Sequence, residues 1–71
     1  MTLDQALREW TSKNRRMGCV AATHWLTSRV PGWRAERLIF FTPEGERYDH
    51  VVASNGFVRV DLAPYACRPR D

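Results

Sequence analysis

Seventy-one residues, 44% of them hydrophobic and three of them tryptophan, make a single small domain, residues 1–71, with a thin core; a chain this short buries only about 60% of the surface its unfolded form exposes. A charge of +3 and a pI near 9.4 are mildly basic, which is weak evidence for an acidic partner and no evidence about fold. No stretch approaches the ~18 apolar residues of a membrane-spanning helix, and the opening "MTLDQALREW" carries acids where a secretory leader has an apolar run, so the expectation is a cytoplasmic protein with no membrane partner.

Residues 2–16 read as an amphipathic helix. Thr2 and Gln5 have the spacing of a capping box, and Leu3, Ala6, Leu7 and Trp10 recur at i, i+3, i+4 and i+7. The apolar period fades through "SKNRRMG", and Gly18 is a residue type that ends helices. A second helix is expected over 19–29, with Cys19, Ala22, Leu26 and Val30 on one stripe and Trp25 beside it, closed by Pro31-Gly32. "RLIFFT", 37–42, reads as a buried strand, and "PEGE" as a turn with Gly45 at its left-handed position. Strands follow over 47–53 and 57–62, and the tail beyond Pro64 reads as irregular. The order helix, helix and three strands predicts an α+β domain, two helices packed on a three-stranded antiparallel meander.

"ASNGFV" carries the strongest short-range hairpin signal, Asn-Gly between apolar runs. If Asn55 and Gly56 form a two-residue turn, Ser54 pairs with Phe57, Val52 with Arg59, and His50 with Asp61. His50 and Asp61 then stand side by side on one face, with Cβ atoms ~5 Å apart. A carboxylate there fixes the tautomer of the imidazole. A slip of one residue would part them, since side chains alternate between faces. A half-exposed ion pair of small energetic value, ~0–1 kcal/mol, is the plain alternative.

Cys19 adds a third group. It opens the second helix, where backbone N–H groups and the helix dipole stabilise a thiolate. An imidazole that accepts the thiol proton, oriented by an acid behind it, is the logic of a nucleophilic triad; the alternative is a small buried apolar residue. Taken together, "GCVAATHWL", "YDHVVA" and "VRVDLAP" resemble the papain-like cysteine peptidase superfamily in its transglutaminase-like branch, over residues 18–64. The resemblance implies Cys19 as nucleophile, His50 as general base and acid, and Asp61 as the residue that orients it. It implies peptide or amide hydrolysis, acyl transfer or glutamine deamidation, with a protein or peptide as substrate and no cofactor. The Cys19 backbone N–H is a candidate oxyanion donor, and Asn14 is the nearest amide upstream.

Other constellations are weaker. Cys19, His24, His50 and Cys67 make a Cys2His2 set, but without the tight paired spacings of structural zinc, so no metal is expected. His24 lies five residues after Cys19, ~140° round a helix, and is expected at the surface. Two cysteines are too few for a disulfide framework, although one Cys19–Cys67 bridge stays open. Lys13, Arg15 and Arg16, with Trp33 in "PGWRAE" as an exposed anchor, are the candidates for a non-catalytic binding module such as a phage-type inhibitor. Nucleic-acid binding through "KNRR", 13–16, and "RPR", 68–70, ranks third, because the remaining arginines are dispersed and eight acids offset them.

Overall fold

The computed structural model describes residues 1–13 and 17–64. Helix α1 spans Leu3–Ser12 and α2 spans Cys19–Thr27; strands β1, β2 and β3 span Arg34–Phe41, Arg47–Ser54 and Arg59–Val60. The strands form one antiparallel sheet in the order β1-β2-β3, so the chain is an α+β meander as expected.

The capping box at the start of α1 is present. Thr2 Oγ1 accepts from the Gln5 backbone N–H at 3.2 Å and Gln5 Oε1 accepts from the Thr2 N–H at 2.9 Å, meeting two donors that a helix start leaves without partners. The helix ends at Ser12, earlier than its period suggested. Gly18 does not close it; Gly18 is the N-cap of α2, with an extended backbone and no side chain to cap with. The expected apolar stripes form the core: Ala6 and Trp10 from α1 meet Ala22, Trp25 and Leu26 from α2 and Val30 just beyond it, with Ala53 and Ala63 from the sheet side. The Trp10 and Trp25 rings tilt against each other at 5.2 Å, and the Arg29 guanidinium lies 4.6 Å over Trp25.

Strand β1 begins three residues before the expected position, and its register sets Leu38 opposite His50 and Phe40 opposite Tyr48, on one face of the sheet. Gly45 holds a φ of +86° in the intervening turn, the left-handed value expected there.

The second hairpin departs from expectation by one turn position. Ser54 pairs with Arg59 and Ala53 with Val60, not Ser54 with Phe57 and Val52 with Arg59. The closing pair is Asn55 with Val58, whose carbonyl accepts the Asn55 N–H at 3.2 Å, and the two loop residues are Gly56 and Phe57. The reason is the Asn55 carboxamide. Its Oδ1 accepts from both Phe57 N (2.9 Å) and Val58 N (2.8 Å), local bonds that hold Asn55 just past the end of β2 and leave Gly56, φ +93°, to turn the corner.

Candidate active site

The turn shift moves the pairing by two residues, and an even shift keeps faces. Carrying the observed register one pair further sets Asp61 opposite Val52, diagonal to His50 on the same side of the sheet. The contact survives: His50 Nε2 lies 2.8 Å from Asp61 Oδ2. The other carboxylate oxygen, Oδ1, accepts the Ala63 backbone N–H at 3.0 Å, so both oxygens are committed and the carboxylate is held in one orientation. The expected direct pairing of His50 with Asp61 in the ladder is therefore wrong, while the side-chain juxtaposition it was meant to deliver is present.

His50 is 1% exposed, one of the two largest fully buried side chains together with Leu26. It lies in the central strand, whose His50, Val52, Ala53 and Ser54 are all buried, so both faces of β2 are covered there. Asp61 has a side chain 34% exposed and reaches solvent. An ionised carboxylate only accepts hydrogen bonds, so Nε2 bears the proton towards Asp61 and a neutral ring carries its lone pair on Nδ1. That Nδ1 is buried and has no hydrogen-bond partner among the described residues. A buried nitrogen lone pair without a partner is costly, and its presence in a native fold calls for a reason.

Cys19 is the first residue of α2, a free thiol, half-buried against the core. Four residues on, the same helix is tied to β2 beside the histidine: Thr23 Oγ1 donates to the Val51 carbonyl at 3.2 Å. Cys19 packs against the core cluster that includes Ala53, and in β2 the side chains of Ala53 and His50 alternate to opposite faces of the sheet. No hydrogen bond joins Cys19 to His50 among the described residues. The structure thus assembles the His50–Asp61 pair and seats the cysteine-bearing helix on the strand that holds it.

The remaining expected residues separate. His24 is exposed, as anticipated. Lys13 is exposed and paired with Glu9 at 3.2 Å. Arg15, Arg16, Asn14 and Cys67 lie outside the described residues. Trp33 is half-buried against the core, less open to a partner than its loop position suggested. Among the described residues no group of three His, Cys, Asp or Glu side chains is placed to hold a metal ion, and no helix is long and apolar enough to cross a membrane. Sequence reasoning missed a second polar site at the β2–β3 turn, lined by Arg34, Glu36, Ser54, Gly56, Phe57 and Arg59. No pattern in the sequence signalled it, because it arises from the one-residue shift of the turn, which lifts Phe57 out of the strand. No family model, curated protein or solved structure matches the chain.

Proposed function

We propose that the protein is a minimal cysteine-nucleophile hydrolase or acyltransferase, acting on a peptide bond, a side-chain amide or a related acyl group. The observation that supports this reading most is the state of His50. Its Nε2 is fixed by Asp61 at 2.8 Å and its Nδ1 is buried without a partner among the described residues, the condition of a base waiting for a proton.

In this mechanism Cys19 passes its thiol proton to His50 Nδ1, and Asp61 stabilises the imidazolium that forms. The thiolate attacks the acyl carbon. The carbonyl electron pair moves to oxygen, where the uncapped first N–H groups of α2 supply donors, Gly18 having no side-chain acceptor to occupy them. Collapse expels the leaving amine, which takes the proton back from His50, and water or a second amine then resolves the thioester. The step requires the thiol and the imidazole to come into hydrogen-bond reach in the loaded site; in unliganded sites such contacts are commonly long. A free thiol suits a reducing, cytoplasmic location.

The test is direct trapping of the acyl-enzyme. On incubation with p-nitrophenyl acetate, intact-mass spectrometry should show one acetyl group, mapped to Cys19 by peptide analysis and absent in Cys19→Ser. His50→Ala should slow acetylation by two to four orders of magnitude, on the order of a general base's contribution. Acetylation that is unaffected by His50→Ala would remove the reading. The alternative, a non-catalytic protein-binding module, is supported by the exposed β2–β3 turn, and an activity in cells that survives Cys19→Ser would favour it.

A further inference from the structure

The β2–β3 turn presents a second chemistry, at a hollow whose lining includes none of Cys19, His50 and Asp61. Phe57 is 95% exposed at the turn, and Val58 beside it is exposed too. The loop under them is rigid. Phe57 and Val58 N–H groups are both held by Asn55 Oδ1, the Asn55 N–H by the Val58 carbonyl, and the Gly56 N–H by Ser54 Oγ at 3.1 Å. A backbone held in this way loses little further freedom on binding, which suits an interface anchor.

Next to it lies a hollow of about 180 Å³ with walls of Arg34, Glu36, Ser54, Gly56, Phe57 and Arg59. Two of its charges neutralise each other: Arg59 grips Glu36 with two parallel bonds, Nε to Oε2 at 3.0 Å and an Nη2 to Oε1 at 2.8 Å. Arg34 is left over. It makes no hydrogen bond or ion pair within the structure's described residues, and its guanidinium lies over Gly56, 3.8 and 3.9 Å from where a side chain there would begin. The hollow therefore carries one net positive charge, Arg59 and Arg34 together against Glu36, whose carboxyl both hold below its ordinary value, beside an exposed aromatic ring.

We infer that this turn is a docking site for an acidic protein partner, in which Arg34 takes a carboxylate side chain and Phe57 packs on an apolar neighbour of that carboxylate. The fixed Arg59–Glu36 pair is the wall of the hollow. A protein is preferred over a nucleic acid because the hollow offers one surplus cation, enough for a single side-chain carboxylate, whereas a phosphate chain is held by several. The net charge of +3 acts in the same direction by drawing acidic surfaces in.

The probes are N-acetyl-leucyl-glutamyl amide, its glutaminyl twin and uridine monophosphate, titrated into the whole protein while backbone amide resonances are followed by NMR. The glutamyl peptide should give saturable shifts at Arg34, Gly56 and Phe57 with a dissociation constant on the order of millimolar. The twin should bind at least about tenfold more weakly. Arg34→Gln and Phe57→Ser should each reduce binding similarly, Arg34→Lys should retain part of it, and Cys19→Ser should leave it unchanged, which separates this site from the catalytic reading. Equal binding of the twin, preferential binding of uridine monophosphate, or no saturable shift with any probe would each overturn the inference.

Discussion

Replacing Asp61 by alanine should unsettle this fold more than removal of a partly exposed acid normally does. The carboxylate is the sole hydrogen-bond partner of the buried His50 ring among the described residues, and it also accepts the Ala63 N–H. Orphaning a buried polar group costs about 1–3 kcal/mol, and the lost backbone bond adds about 1 kcal/mol. Asp61→Ala should therefore cost ~3 kcal/mol, against a total stability of roughly 4–10 kcal/mol for a domain of this length. At about 4–8 °C per kcal/mol, Tm should fall on the order of 15 °C. In a His50→Leu background the same change should cost only the ~1 kcal/mol of the Ala63 bond. Asp61 itself would not be stranded there, since solvent already reaches a third of it. Urea denaturation followed by circular dichroism across the four proteins of this double-mutant cycle should give a coupling energy of about 2 kcal/mol. A coupling below about 0.5 kcal/mol would mean that the 2.8 Å contact is not what satisfies His50, and the argument for a fixed tautomer would fall with it.

Thr23→Val should destabilise by about 1–3 kcal/mol, because it removes the donor to the Val51 carbonyl, with Thr23→Ser retaining much of the stability; equal losses in the two variants would assign the effect to packing instead. Gly56→Ala should cost about 1–2 kcal/mol from its φ of +93°, read by thermal melting, while no neighbour is close enough to add a clash. The Arg59 hydrogen bonds hold the Glu36 carboxyl below its ordinary 4.5. A carboxyl lowered in the folded state stabilises above its unfolded pKa, and that contribution fades as pH falls through the folded value. Arg59→Gln should thus bring Glu36 back up in an NMR titration and flatten only the acid limb of the stability profile, below pH 4.5. A changed slope at neutral pH would point to another group.

Strand β1, read as buried, is largely exposed, with Ile39, Phe40 and Phe41 open to solvent. Helix faces were legible in the residues because burial follows a period of 3.6, and Ala6, Trp10, Ala22, Leu26 and Val30 are buried where that period places them. The turn was not, because Asn-Gly specifies a corner without saying which of the two residues occupies it, and the Asn55 carboxamide decided that by capturing two N–H groups. The site survived the misplacement since a one-residue move of a turn shifts the ladder by two, which preserves side-chain faces. The length of β3 was also hidden. Six residues of strand-like composition form only the Arg59–Val60 strand, and Asp61 leaves the ladder to hold His50 and the Ala63 N–H. The hollow at Arg34 depends on which arginine Glu36 chooses across the sheet, and no pattern within a strand encodes that.

The account rests on a thiol that hands its proton to His50, and the rate of alkylation of Cys19 measures that most directly. With iodoacetamide at pH 6, Cys19 should react far faster than Cys67 in the same chain, because only the thiolate is nucleophilic. His50→Ala should remove most of that advantage, and Asp61→Asn should remove less, since the acid acts only through the ring. A Cys19 that stays inert from pH 6 to 8 in the folded protein and reacts only after denaturation would be a core residue, and the enzymatic reading would be contradicted.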